Sequence, residues 1–396
     1  MTSAFIVAGK RTPFGAFGGS LKNIKAAQLG GHAAKAALAQ LPENTKVDSV
    51  FFGGVLHSDN SVPYLARHVS LLAGLPIDVP CLTVNRLCGS GFQTLINGVQ
   101  EIRLGEANVV LTGGTENMSN SPYTLSGASR WGNKYGVDLK LEDSLAAALV
   151  DQVPTATPMG ITAENLSEQY GISRQDADAY ALQSQQRWAA GNKAGAFKDE
   201  IAPISVPGKK RGSEITVDTD ESPRASTTLE TLARLPTVFK KDGTVTAGNA
   251  SGITDGASAN IVASEEGIKR YGLTPLVRIA AYQITAVEPS IMGIGPVSAI
   301  QGALERANLK IEDIDIFDVN EAFASQWLSV QKALNLPIEK SNMFGGAIAL
   351  GHPLAASGAR ILNNLTYNLH RLDKRWAVGA ACIGGGQGIA VVLERI

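Results

Sequence analysis

The sequence predicts an α/β protein built as two similar halves, each a mixed, mainly parallel sheet covered by helices, with a large inserted loop domain between them. Three observations lead there. Short β-type runs alternate with helical-period runs through residues 1–119, the same alternation returns after residue 247, and the stretch 120–246 interrupts it with long polar segments. Strands alternating with helices at this spacing need crossover connections and hence a covered sheet. The organisation expected is residues 1–119 with 247–270 as an N-terminal half, 120–246 as the inserted domain, and 271–396 as a C-terminal half.

In chain order, Ala4 to Ala8 reads as a strand, Leu21 to Leu41 as an Ala-rich helix, Val47 to Gly53 as a strand and Val62 to Leu72 as a helix. Pro80 to Val84 is β-type, and Phe92, Leu95, Ile96, Val99 and Ile102 then repeat at helical spacing. Val109 to Leu111 is a strand ending in Thr112-Gly113-Gly114-Thr115-Glu116. In the insertion, Thr162 to Tyr170 and Ser173 to Ala190 form a helix pair, the second opened by a Ser173/Asp176 cap. So long an excursion either covers a site or makes subunit contacts. Asn260 to Ala263 and Leu276 to Ile279 are strands, Pro296 to Ala307 a helix, and Ile314 to Val319 a strand. Val319-Asn320 before a helix echoes Val84-Asn85 before a helix, so two matching sheets are expected to face each other with corresponding turns at a common centre.

With 35 basic and 36 acidic residues, charge supplies no general pull toward nucleic acid or an acidic membrane, and small molecules or further copies of the chain are the expected partners. No apolar run approaches the ~18 residues that span a bilayer. The three cysteines, Cys81, Cys88 and Cys382, form neither a CxxC pair nor a disulfide framework, which fits a reducing compartment. No His or Cys pairs stand at metal-ligand intervals. The N-terminus is basic and free of acidic residues before Glu43, like a mitochondrial import signal, yet the first strand leaves nothing to cleave. An uncleaved signal for the mitochondrial matrix is therefore expected, with cytoplasmic residence as the alternative.

Chemistry concentrates in four segments. Cys88, in Asn85-Arg86-Leu87-Cys88-Gly89-Ser90-Gly91, sits at a strand-to-helix junction where helix N–H groups and dipole favour a thiolate and glycines leave room for a substrate. A buried, inert cysteine is the competing reading. His352 lies between glycine-rich and Pro-containing backbone, a suitable place for a general base, although a capped surface histidine would look the same. Cys382 precedes Gly384-Gly385-Gly386 and is either a second thiol with open backbone beside it or a small core residue. Asn320 completes the set in Val319-Asn320-Glu321-Ala322-Phe323. The Lys209-Lys210-Arg211 run is expected to be a solvated turn.

The motifs NRLCGSGFQ, NEAFA, GGAIALGHP and CIGGGQG, in this order, resemble the thiolase family, and AGKRTPFG, MGITAEN, KKDGTVTAGNASG and SIMGIGP extend the resemblance over essentially the whole chain. It implies a thiolase-like fold and cleavage of 3-oxoacyl-CoA by CoA, as in the mitochondrial-type 3-ketoacyl-CoA branch that serves fatty-acid β-oxidation. CoA and acyl-CoA thioesters are then substrates, with no further cofactor. On this resemblance Cys88 is the nucleophile, His352 its base and Cys382 the proton donor to the departing carbon. Asn320 holds a water that, with His352, stabilises the thioester oxygen, and the N–H groups of Cys88 and Gly384 form a second oxyanion hole. Arg224 and Thr227 fall at the nucleotide end of CoA, Ser251 on the pantetheine arm, and Met159, Phe239 and Met292 along the channel. Dimers or tetramers are implied, with the strand ending at Gly114 and part of the insertion as contact surfaces.

Three departures stand out. Ala355 replaces a usual glycine behind His352. Pro158-Met159 lacks the histidine that short-chain biosynthetic members carry, which favours the degradative type. Ser58 to Tyr64 differs from the usual loop. Related ketoacyl synthases pair two histidines beside the cysteine, whereas Asn320 takes one of those places here. An acetoacetyl-CoA thiolase running Claisen condensation of two acetyl-CoA is the alternative activity, and a non-catalytic acyl-CoA-binding protein of the same fold the alternative class.

Overall fold

A computed structural model describes residues 2–208, 210 and 212–396, so Lys209 and Arg211 of the basic run lie outside the described residues. The central sheet uses β1 (Ala4–Arg11), β2 (Ser49–Gly53), β3 (Cys81–Val84), β4 (Val109–Asn117), β5 (Thr254–Ser264), β6 (Val277–Ala286), β7 (Ile316–Val319), β8 (Trp376–Ile383) and β9 (Gln387–Arg395), in the order β7-β8-β9-β6-β1-β5-β4-β2-β3. The short strand Gly15–Ala16 adds to β5. The helices that cover it are α1 (Ala26–Leu38), α2 (Leu65–Leu72), α3 (Ser90–Leu104), α4 (Met159–Tyr170), α5 (Arg174–Lys193), α6 (Gly295–Ala307), α7 (Ala324–Leu334) and α8 (Leu354–Arg371).

The sheet is mixed. β2–β3, β2–β4 and β7–β8 are parallel, and these are the strands joined by helical crossovers. The pairings β1–β5, β5–β4, β1–β6, β6–β9 and β9–β8 are antiparallel. Outward from the centre, each half runs antiparallel, antiparallel, parallel. β1 and β6 also carry the same irregularity, a register shift between Ile6 and Ala8 in one and between Ile279 and Ala281 in the other. The internal repeat expected from the sequence is thus present in the ladder itself.

Its register differs from the dipeptide echo. β3, which leads to Cys88, has as its C-terminal counterpart the single parallel bridge of Ser341 to Phe317, which leads to α8. Val319-Asn320 instead matches the end of β2. The two-residue match was too short to fix which strand corresponds to which, whereas pairing order fixes it. On this correspondence the turn bearing Cys88 and the turn bearing His352 are equivalent places in the two halves.

Two helices fill the middle layer. Phe92, Leu95, Ile96 and Val99 of α3 and Ile361, Leu362, Leu365 and Leu369 of α8 form one core with strands of both halves. The half-sheets therefore face each other across α3 and α8 and are also continuous through β1–β6. α1 and α2 cover the outer face of one half, α6 and α7 that of the other. α3 and α8 meet backbone to backbone: a Cβ on Gly91 would lie 2.8 Å from Ala355 O and closer still to Ala359 N, and one on Gly358 2.5 Å from Phe92 N.

Several elements run longer than their hydrophobic patterns. The strand expected to end in Thr112 to Glu116 runs on to Asn117, with Gly114 letting β4 pass the backbone carbonyl of Ala355. The same observation corrects the expected contact surface. β4 lies between β5 and β2 with every residue buried, so both its edges are taken. Within 120–246, α5 opens with the expected Ser173/Asp176 capping box. The segment is pinned to β1 by Arg11, fully buried, which donates to Glu200 at 2.7 Å and Asp220 at 2.6 Å.

Candidate active site

β3 ends at Val84, and the chain turns through Leu87, whose φ of 48° is unfavourable for a branched side chain. Ser90 ties this elbow down, accepting from Arg86 N at 2.9 Å and donating to Leu87 O at 2.7 Å. Cys88 is consequently presented at the head of α3, half-buried. Its sulfur accepts from the backbone N–H groups of Gly384 and of Cys88 itself. Since Gly384 follows β8, the two halves close on this atom. Arg86 bonding Gln387 at 2.8 Å and Gly89 backing onto Ile383 reinforce the closure.

The helix dipole does not make Cys88 a resting thiolate, contrary to the sequence reading. Burial pushes the thiol up to about 11, with the charge of Glu116 adding to it, against the two backbone donors. Activation needs a base.

His352 follows Gly351, held at a φ of 93° against the Thr254 side chain, where a Cβ could not fit. The histidine is 6% exposed and its backbone N–H is held by Gly252 O at 3.0 Å and Thr254 Oγ1 at 3.2 Å. Ser357 donates to Pro353 O at 3.0 Å, so its Oγ accepts from His352 Nδ1–H at 2.6 Å. This leaves Nε2 unprotonated, facing the Asn320 amide at 3.4 Å. Burial, helped by the Arg360 guanidinium, lowers the imidazole to about 4 and keeps it neutral.

Asn320 continues β7 past its end, its N–H bonded to Ala380 O of β8 at 2.9 Å. Its Oδ1 is buried with no hydrogen-bond partner among the described residues. Two residues along β8, Cys382 is 1% exposed, and burial together with the nearby Cys88 raises its thiol far above the ordinary range. Met159, Met292, Ala322 and Phe323 pack around Cys382, and Leu56, Met118, Leu145, Leu149, Ile253 and Leu354 around Cys88.

The fold thus gathers Cys88, Cys382 and Gly384 at one point, His352 with Asn320 beside the same strand ends, and Met159 and Met292 around Cys382. Phe239 joins through an edge-on contact with Phe323, and Ser251 through its N–H to Ala322 O at 2.9 Å. Arg224 and Thr227 form a separate exposed turn, tied to α5 by Gln185 accepting from Arg224 N at 2.8 Å. The Ala355 methyl lies 3.5 Å from where a Cβ on Gly53 would be, an ordinary contact. In the variant loop, Ser58 is buried and its carbonyl accepts from Asn120 at 3.0 Å. Sequence reasoning missed Ser357, Arg360 and Glu116. Only Ser357 carried a signal, as a buried hydroxyl candidate in the His352 motif.

In chemical terms two thiols, an imidazole and backbone donors drawn from two α/β halves are the groups that an acyl transfer needs. Residues 4–266 match the thiolase N-terminal domain model and residues 273–395 the thiolase C-terminal domain model. The chain is 56% identical to the mitochondrial 3-ketoacyl-CoA thiolase of Mus musculus, covering all of this chain and 99% of the mouse protein. It is 46% identical to an acetyl-CoA acetyltransferase of Pseudomonas aeruginosa over the full length of both. The crystal structure of human mitochondrial 3-ketoacyl-CoA thiolase in complex with CoA superposes with a TM-score of 0.96 at 56% identity, covering all of this chain and 98% of that one. The chain belongs to the thiolase family.

Proposed function

We infer that the protein is an acyltransferase that cleaves 3-oxoacyl-CoA with CoA, giving acetyl-CoA and a chain-shortened acyl-CoA in fatty-acid β-oxidation. The observation that carries this reading is the meeting of two thiols of different character, one at an elbow and one buried on a strand, with a neutral imidazole joined to Asn320 at the end of the neighbouring strand.

Cys88 attacks the 3-keto carbon while His352 Nε2 accepts its proton. The developing alkoxide falls to the N–H groups of Cys88 and Gly384, the pair that already donates to the sulfur. The bond between C2 and C3 then breaks, its electrons passing to the acetyl-CoA enolate. Asn320, with an acceptor free for a water, and His352 stabilise the thioester oxygen of that enolate. Cys382, held as a thiol by burial, protonates C2. In the second half, the incoming CoA thiol returns a proton to Cys382 and attacks the Cys88 thioester, and the departing Cys88 recovers its proton from His352. CoA enters as a substrate and no further cofactor takes part.

For substrate binding we assign Met159, Met292 and Phe239 to the channel beside Cys382, Ser251 to the pantetheine arm, and the Arg224–Thr227 turn to the nucleotide. Arg224 is suited to phosphate oxygens or to an adenine face. The insertion 120–246 then serves CoA binding and subunit contacts. A homodimer or homotetramer is supported by two exposed apolar surfaces. One is the free edge of β3 with Leu82, flanked by Leu71, Leu72 and Ile77, and the other the Tyr123–Asp143 hairpin with Trp131 and Tyr135. Mitochondrial residence is supported by the mouse relative and by the basic N-terminal segment. That segment cannot be trimmed past Ala4 without removing β1, the strand joining the halves.

The Claisen direction uses the same groups in reverse. The higher identity to the 3-ketoacyl-CoA thiolase and the absence of a histidine before Met159 favour cleavage. Thiolysis of a 3-oxoacyl-CoA series from four to sixteen carbons tests the reaction and its chain length together. Cys88→Ala should take up no labelled acyl group, whereas Cys382→Ala should acylate without making or breaking the carbon–carbon bond. Equal labelling of both variants overturns the assignment.

A further inference from the structure

Among the described residues Glu116 is the carboxylate whose charge acts on Cys88, and the reaction as derived does not use it. It stands near the end of β4, 1% exposed. Its two oxygens accept three backbone N–H groups from two different segments: Leu56 at 2.9 Å and Val55 at 3.3 Å from the loop after β2, and Ala355 at 3.1 Å from the first turn of α8. The first segment belongs to the N-terminal half and the second to the C-terminal half, three residues beyond His352. Leu56 and Leu354, flanking these bonds, pack in the same apolar cluster as Cys88.

We infer that Glu116 is a positioning residue: ionised, it staples the wall of the acyl site to the turn that carries His352, and so sets the base against Cys88. The inference rests on the thiolase reading of the site.

The staple works in one protonation state only. All three partners are donors, so a protonated Glu116 would hold a hydroxyl with nothing to donate to among them and would surrender at least one N–H bond. Burial, opposed by the three backbone donors, raises this carboxyl to about 7, so the change falls near neutral pH. The ionisable groups that act across it are Asp255 on β5, which repels its charge, and Cys88 at the head of α3, whose thiol it raises in turn. Asp255 is itself buried, anchored by the Ser119 N–H at 2.9 Å, and faces Glu221. The loop after β2 and α8 offer Glu116 backbone N–H groups, and α8 directs its Arg360 at Asp318 instead. No cation among the described residues pairs with Glu116.

The sign follows. The competent, ionised form fills as pH rises, so acylation of Cys88 by substrate should gain rate through about pH 7 in the unmodified enzyme. His352 titrates near 4 and cannot supply that limb. Glu116→Gln keeps the shape but turns one acceptor into a donor facing a donor. It should lower the acylation rate about ten- to a hundredfold at pH 8, leave KM for CoA within twofold, and abolish the limb near pH 7.

The test measures single-turnover acylation against pH from 5 to about 9 in the full-length enzyme and in Glu116→Gln, with thermal midpoints recorded for both. A Gln variant that keeps the limb near 7 and the wild-type rate overturns the inference while leaving the thiolase reading intact. Should the variant not fold, Glu116→Asp, which keeps the charge on a side chain one methylene shorter, takes its place, and an acylation rate within twofold of wild type across the range overturns the inference. Absence of any acylation in the wild type would instead sink the reading of the site itself.

Discussion

Ser357→Ala removes one oxygen from the enzyme and tests how His352 is made a base. In the intact protein the hydroxyl accepts from His352 Nδ1–H at 2.6 Å and donates to Pro353 O at 3.0 Å, so a single side chain fixes both the tautomer and the ring orientation. The bond lies away from water, since Ser357 is 2% exposed and His352 6%. Alanine therefore leaves a buried imidazole N–H unpartnered, a loss of about 1–3 kcal/mol. The ring recovers part of it by rotating or by shifting its proton to Nε2, and either response removes the base from Cys88. At about 1.4 kcal/mol per factor of ten, kcat/KM for thiolysis should fall about 10- to 100-fold. The deficit should appear in the acylation burst, with KM for CoA little changed. Ser357→Thr retains the hydroxyl and should recover most of the rate. A Ser357→Ala enzyme within twofold of wild type in its burst would refute the idea that this bond selects the reactive tautomer.

Two further perturbations act elsewhere in the chain. Gly91→Ala places a methyl 2.8 Å from Ala355 O and closer to Ala359 N, so α3 and α8 must separate; overpacking of about 1–3 kcal/mol exceeds the ~1 kcal/mol gained by alanine in a helix, and denaturant titration should show net destabilisation with thiolysis largely lost. Arg224→Ala should raise KM for CoA about tenfold, yet leave turnover of pantetheine thioesters lacking the nucleotide unchanged, and an equal loss on both substrates would move Arg224 away from the nucleotide.

How much of this was legible beforehand depended on how local each signal was. Cys88 announced itself because a strand, a cysteine among glycines and a helix lie within a few residues, and that adjacency places a sulfur at a helix head. The glycines of β4 were read as the end of a strand, but their purpose stayed hidden because it lies 241 positions away, where Ala355 O passes Gly114. Glu116 carried no local signal, since its partners are backbone N–H groups of two segments remote in the chain. The Val-Asn echo pointed to a real repeat but to the wrong strand, as pairing order rather than residue identity defines equivalence in a sheet.

That corrected equivalence bears on why the site works. Cys88 and His352 occupy matching turns at the heads of α3 and α8, the two helices that cross at Gly91 and Gly358. Both helix N-termini carry partial positive charge, which by itself would ionise the cysteine and disfavour a protonated histidine. Burial reinforces the second effect and overrides the first, and Glu116 tips Cys88 further toward its neutral form. The resting pair is therefore thiol and neutral imidazole, with the proton still on sulfur. In the proposed reaction charge separates only as the carbonyl carbon comes within reach, where the N–H groups of Cys88 and Gly384 would receive the negative charge. A thiol of high affinity for its proton is also the stronger nucleophile once it is released, so the same burial that keeps Cys88 quiet at rest favours its attack on substrate.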